Sequence, residues 1–191
     1  MKEYFESRPV DLTEPYPGNF TNIEGSWHDA VADLPSPLYV VTGWKSNGKE
    51  NACLQSRTVF SASYGNYTCI LGWVRIAGHM YKSLKETGCC VLNFFAMDIS
   101  EKCFNTIKNN GFDTDEITAS GLTAEKAQNV NAPLIKECFL NIECEYLWEH
   151  ELTPGDPSLV VVALKTVGIY VDEKYYNDEN KQGWLQWIGQ H

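Results

Sequence analysis

The stretch LYVVTGWKSNGKENACLQ, residues 38–55, decides the fold. Leu38 to Thr42 is β-branched and aromatic, the composition of a pleated, half-buried strand. Lys45-Ser-Asn-Gly-Lys49 follows, and its Asn47-Gly48 pair suits a hairpin turn because both residue types tolerate positive φ. The chain then returns, from Asn51 to Phe60, as a second strand. Two strands joined directly by a turn begin an antiparallel sheet, with no helix between them.

Working outward, Asn66 to Val74 (NYTCILGWV) reads as a third strand and Cys90 to Phe95 as a fourth. Met80 to Thr87 is a short helix, with Met80 and Leu84 stacked at i, i+4 and Gly88 placed as a C-terminal cap. A second helix is predicted from Ile99 to Asn109. Asp98 and Glu101 have capping-box spacing there, and Ile99, Cys103, Phe104 and Ile107 form one apolar face. A weaker third helix is predicted near Ala124 to Asn129. Glu137 to Trp148 alternates, putting Cys138, Leu140, Ile142, Cys144 and Tyr146 on one face. Leu159 to Val171 pairs back on it through a turn at Thr153-Pro-Gly-Asp-Pro-Ser158. Strands and helices do not alternate regularly, so a doubly wound parallel sheet is disfavoured. A mainly β fold with α insertions is expected: a small antiparallel barrel of Greek-key type, whose closure removes exposed strand edges.

Residues 1–36 hold four of the eight prolines and read as an extended lead-in; residues 37–171 form the barrel. In the tail, residues 172–191, Trp184, Leu185, Trp187 and Ile188 are too apolar to be left in water together and are expected to pack on the barrel or on a partner subunit.

Composition narrows the function. The 191 residues are 43% hydrophobic and 13% aromatic, ample for one core, and carry a net charge of −10. That balance argues against nucleic acid, which needs a basic surface to displace counterions. The seven cysteines include no CxxC pair, and an odd count argues against a secreted disulfide framework. They read as buried, reduced thiols, and the vicinal Cys89 and Cys90 face opposite sides of one strand. The charged N-terminus is unlike a signal peptide, and no apolar run approaches a membrane span. A soluble, cytoplasmic protein is expected.

Four stretches in order then resemble the flavin reductase-like, FMN-binding split-barrel family. They are Pro37 to Thr42 with the Gly48 turn and Asn51-Ala52; Leu54-Gln-Ser-Arg-Thr58; His79 to Gly88 leading into Val91-Leu-Asn93; and Gly121-Leu-Thr-Ala124, Ala132 to Glu137 and Leu140 to Cys144. The chain departs from many relatives at Tyr64-Gly-Asn-Tyr67, where they carry an Asp-Pro-Pro element, and at Met80, where they carry Ser or Thr. The resemblance implies a homodimer with FMN at its interface. It also implies electron transfer from NADH or NADPH to flavin, or through bound FMN to an acceptor such as a redox partner protein. Flavoredoxin-like electron carriage without NAD(P)H oxidation, or a non-catalytic ligand-binding barrel, are the alternatives.

FMN needs donors or positive charge for its phosphate, and a flat apolar slot with a few hydrogen bonds for its ring. Gln55, Ser56, Arg57 and Thr58 form a run of donors suited to phosphate and carbonyl groups. His79, Lys82 and Ser83 lie in the first turn of a helix, where the dipole attracts an anion. Trp73 is a candidate for flanking the ring and Arg75 for stabilising negative charge on reduced flavin. Asn51 matches a family position bordering the flavin pocket. No metal site is expected. Hydride transfer to a flavin needs no protein nucleophile, and without GxGxxG any dinucleotide would enter the flavin cleft.

Overall fold

The computed structural model describes residues 36–63, 66–174 and 186–187. Two short strands, β1 (Ser36–Pro37) and β11 (Gln186–Trp187), form a small sheet of their own. The expectations for the lead-in and the apolar tail otherwise lie outside the described residues, apart from Asp172 to Lys174.

The chain from Tyr39 to Val171 forms a seven-stranded antiparallel sheet in the order β3-β2-β6-β9-β10-β5-β4. Its members are β2 (Tyr39–Trp44), β3 (Glu50–Gln55), β4 (Thr58–Ser63), β5 (Asn66–Arg75), β6 (Cys89–Phe94), β9 (Leu140–Thr153) and β10 (Asp156–Val171). The β2–β3 hairpin turns as expected: Gly48 takes φ 79, and its N–H donates to the Lys45 carbonyl at 2.8 Å. A second, longer hairpin joins β9 to β10 with Gly155 at φ 84.

The sheet is strongly curled. Phe60 stands on edge strand β4, four strands away from β6, yet its ring centroid is 5.8 Å from that of Phe94. On a flat sheet four steps would separate them by about 19 Å. Curling brings Tyr39 and Val41 of β2, Leu71 of β5, Leu92 and Phe94 of β6, Ile142 of β9 and Val162 and Leu164 of β10 into one interior core. Tyr39 and Phe94 pack there with centroids 5.0 Å apart. Helix α1 (His79–Thr87) contributes Met80 and Leu84 to that core. Gly88 ends it in the left-handed region at φ 69, donating its N–H to Leu84 O at 2.9 Å.

The outer face is covered as well, by α2 (Ser100–Lys108), α3 (Glu116–Ala119) and the hairpin β7 (Ala124–Lys126)–β8 (Pro133–Ile135). Val40, Phe95, Cys103, Ile117 and Ile135 make one outer cluster; Cys89, Val91, Ala127 and Leu134 make another. A buried polar knot anchors β8: the Asn93 carboxamide oxygen accepts from Ile135 N–H at 2.9 Å and from Asn141 Nδ2 at 2.8 Å. Asn93 Nδ2 donates to Val40 O and to Thr42 Oγ1, each at 2.9 Å.

Four expectations need correction. The stretch from Asn51 to Phe60 is not one strand: β3 pairs with β2 and β4 with β5, so the chain breaks at Ser56-Arg57 to pass between the two ends of the sheet. Ala124 to Lys126 is a strand rather than helical, because the Glu143 carboxylate takes the N–H groups of Gln128 and Asn129 and turns the chain into a hairpin. Helix α2 starts at Ser100 without a side-chain cap, so Asp98 and Glu101 form no capping box. Cys138 precedes β9 and packs in the outer cluster, while Leu140, Ile142 and Cys144 face the interior.

Candidate functional site

The chain crossing between β3 and β4 carries the donor run. Arg57 is fixed there by its carbonyl, which accepts from Gly72 N–H at 2.7 Å. A Cβ on Gly72 would stand 3.2 Å from that oxygen, so the close approach of β5 depends on glycine. The Arg57 guanidinium lies 4.6 Å from the centroid of the Trp73 ring, a cation–π stack with Trp73 36% exposed. Next to it, Thr58 begins β4 opposite Leu71, and its Oγ1 is buried without a hydrogen-bond partner. Gln55 ends β3 and donates to Cys53 Sγ at 3.4 Å. Ser56 is half-buried, and Arg75 is exposed at the end of β5, opposite Leu159.

Helix α1 follows β5 through a tight turn closed by Gly78 N–H donating to Arg75 O at 3.0 Å. It packs on β2, β3 and β6. Its N-cap is Gly78, which offers no side chain, and no acidic residue lies in the first turn. Asn51 of β3 and Ser83 of α1 are brought together, Nδ2 donating to Oγ at 3.2 Å with both residues buried. Lys82 is exposed on the same helix. Met80 is 7% exposed and belongs to the interior core, so the side chain at this departure from the family pattern does not face a surface site.

His79 leads into a charged clamp that closes the free edge of β3. Glu50 and Ala52 donate their N–H groups to carboxylates instead of to another strand: Glu50 to Asp115 at 3.1 Å, Ala52 to Glu116 at 2.7 Å. Glu116 is buried and pairs with the equally buried Lys45 at 2.7 Å. Glu50 in turn accepts from Thr118 N–H at 2.8 Å and from its hydroxyl at 3.0 Å. Lys49 reaches Asp115 at 2.8 Å; this hydrogen bond holds the Asp115 carboxyl below the usual range and the Lys49 ammonium above it. The His79 Nδ1 faces Glu116 at 3.7 Å, beyond hydrogen-bonding distance. Its ring meets Phe112 edge to face, with centroids 5.9 Å apart.

The cysteines behave as core residues. All seven are free, and only Cys53 is less than fully buried. Cys90 faces the interior and Cys89 the outer face, as their alternation requires. Burial pushes the thiols of Cys53, Cys69, Cys90 and Cys144 up, that of Cys144 to about 12. They are protonated and unreactive near neutrality. Among the described residues no group of His, Cys, Asp and Glu could hold a metal ion, and no helix is long and apolar enough to cross a membrane.

The ten sequence-chosen residues therefore fall into three places, with one residue left over. Gln55, Ser56, Arg57 and Thr58 form the crossing, with Trp73 stacked on Arg57 and Arg75 at the end of the same strand. Asn51 and Ser83 meet in the interior of the β3–α1 contact. His79 faces the clamp, and Lys82 stands apart. Sequence reasoning missed Lys45, Glu116 and Phe112. Lys45 reads as a hairpin-turn residue, and nothing near Glu116 or Phe112 announces that a strand edge 60 residues away needs closing.

A curled antiparallel sheet whose two edge strands are consecutive in the chain, with a helix plugging the interior, defines a split β-barrel. The chain belongs to the flavin reductase-like domain family, a flavin-binding family, through residues 31–184. Among solved structures it is similar to nitrilotriacetate monooxygenase component B from Bacillus cereus, with a TM-score of 0.76, 18% identity and 95% and 94% of the two chains covered. It is also similar to flavoredoxin of Desulfovibrio vulgaris, with a TM-score of 0.66, 19% identity and 74% and 73% coverage. The 2-nitrobenzoate 2-nitroreductase of Pseudomonas fluorescens matches at 0.70, with 18% identity and 93% and 88% coverage. At these identities the likeness is one of fold. An uncharacterized protein of Methanothermobacter thermautotrophicus is 29% identical over 100 residues, 51% of this chain; the match spans about half, 46%, of that relative's length.

Proposed function

We propose that the protein is an FMN-binding oxidoreductase that moves electrons from NADH or NADPH to flavin, or through bound FMN to an acceptor. The observation that carries this reading is the Thr58 hydroxyl, buried and without a partner, at the crossing where Arg57 stacks on Trp73. An orphaned buried hydroxyl costs about 1–3 kcal/mol, and such groups are found where a ligand completes them.

The residues present fit FMN. Gln55, Ser56 and Thr58 supply neutral donors, Arg57 a charged one and Trp73 a flat apolar wall. Asn51 and Ser83, tied to each other, fix the position of α1 against β3, so that His79 and Lys82 are presented from a rigid helix. Arg75 adds positive charge at the end of the strand that carries Trp73. When bound, FMN supplies the hydride-accepting chemistry; the chain's part is to bind it, orient it and limit the access of water.

The same reading makes the protein a homodimer with FMN at its interface. The exposed Leu147, Trp148 and Leu152 on the β9–β10 hairpin support it, being more apolar surface than one arm ordinarily leaves in water. Seven free cysteines favour a cytoplasmic setting. A flavoredoxin-like carrier, accepting electrons from a redox partner and not from NAD(P)H, is the second reading, favoured by the fold likeness to flavoredoxin.

The test is an anaerobic FMN titration followed by NADH or NADPH. Micromolar binding and then bleaching of the flavin band are expected. Binding without bleaching by either donor selects the carrier, and no binding removes the flavin reading.

A further inference from the structure

Phe112 is an exposed aromatic in the loop between α2 and α3, with 47% of its surface in solvent. A single exposed Phe is ordinarily unremarked surface. This one is held with unusual care. Lys45 Nζ donates to Gly111 O and to Thr114 O, each at 2.7 Å, bracketing the residue on both sides. Asn47 Nδ2 donates to the carbonyl of Phe112 itself at 3.0 Å, and to Asp113 Oδ1 at 3.2 Å. Thr114 N–H closes the turn on Gly111 O at 3.1 Å, and a Cβ at Gly111 would lie 2.7 Å from Thr114 Oγ1. Burying an ammonium is costly even beside a carboxylate. Here a buried lysine spends two of its donors on the backbone of a loop whose tip is an exposed ring.

The ring's neighbour gives the direction. Phe112 meets His79, the first residue of α1, edge to face. Through His79 it adjoins one of the proposed flavin residues, with a face left to solvent. A rigid, solvent-facing aromatic ring stacks a planar heteroaromatic ring at little conformational cost. With Trp73 as the proposed wall for the flavin ring, the exposed ring beside His79 is open to a second planar ligand.

We propose that Phe112 is a specificity-determining residue of the same site: it is the shelf on which the nicotinamide dinucleotide lays a planar ring while it donates to FMN. The inference rests on the proposed function above. No covalent step is assigned to the phenyl ring.

The test compares wild type with F112A and F112W, each loaded with FMN, using NADH and NADPH as probes. F112A is expected to raise KM for the donor roughly tenfold, the size of one lost ring stack. Its kcat and its FMN dissociation constant stay within about twofold of wild type. F112W restores KM. Calorimetric titration of the FMN-loaded proteins with NAD⁺ and NADP⁺ reports the same loss and rescue without turnover. A matching fall in FMN affinity in F112A overturns the proposal by placing Phe112 in the flavin slot, and an unchanged KM overturns it outright. Wild type that binds FMN but oxidises neither donor overturns it while leaving the flavin reading in place. Wild type that takes up no FMN removes that reading, and the proposal with it.

Discussion

Lys45 Nζ sits 2.7 Å from Glu116 Oε1, and neither side chain reaches solvent. The pair joins three pieces of chain that are distant in sequence: the β2–β3 turn, the edge of β3 through Ala52 N–H, and the loop carrying Phe112. Removing one partner strands the other charge in the interior. E116Q keeps the shape and an oxygen for Ala52 but leaves Lys45 unneutralised, so it should cost about 3–5 kcal/mol. The urea midpoint measures this. K45M combined with E116Q should recover part of the loss, since removing both charges removes the stranded one.

Glu143 gives the protein an acid-sensitive joint. Its buried carboxylate accepts from Gln128 N–H at 2.6 Å, Tyr170 Oη at 2.7 Å, Asn129 N–H at 2.9 Å and Asn129 Nδ2 at 2.7 Å. Burial alone would raise its pKa; the hydrogen bonds outweigh burial and hold it below the usual glutamate value. A folded pKa below the unfolded one means the stabilisation is present above the unfolded value, about 4.3, and is lost as pH falls through the folded one. Unfolding temperature should therefore drop on acidification below that point. E143Q should be less stable at neutral pH by about 2 kcal/mol or more, and the gap to wild type should narrow in acid.

Gly168 faces that same carboxylate. A Cβ there would lie 2.7 Å from Asn129 Nδ2 and 2.9 Å from Glu143 Oε2. G168A should destabilise by about 1–3 kcal/mol through overpacking. Combined with E143Q its effect should be less than additive, because both break one network. Chemical denaturation of the single and double variants checks this.

The curled sheet was legible because the strand signals are strong where both faces of a strand are buried. Tyr39-Val-Val and Cys90-Val-Leu have no polar gap to confuse the period. The Gly48 and Gly88 stops were legible because each takes a left-handed φ that sets glycine apart. The break at Ser56-Arg57 was not, since only the pairing of β4 with β5, a long-range choice, ends β3 there. The residues after Ala124 read as helix for a similar reason: the carboxylate that turns them into a hairpin sits 14 and 15 residues away. The donor run Gln55 to Thr58 could be read from residue chemistry. The charged clamp could not, because its ion pair spans 71 positions between Lys45 and Glu116.

Thr58 separates a binding role from a folding role by sign. Its hydroxyl is buried and lacks a partner, while its methyl group and backbone serve β4. Valine has nearly the same shape and suits a strand equally well. If the hydroxyl only fills space, T58V removes a desolvated donor and should stabilise the free protein by up to about 1 kcal/mol, with no effect on ligand. If the hydroxyl is a flavin contact, T58V should still stabilise the free protein but weaken FMN binding roughly fivefold to tenfold, the value of one hydrogen bond. The second outcome is expected. Thermal unfolding of the FMN-free protein gives the first quantity and flavin fluorescence quenching the second. A variant that gains stability and loses affinity together is the signature of a group kept in the fold for its ligand.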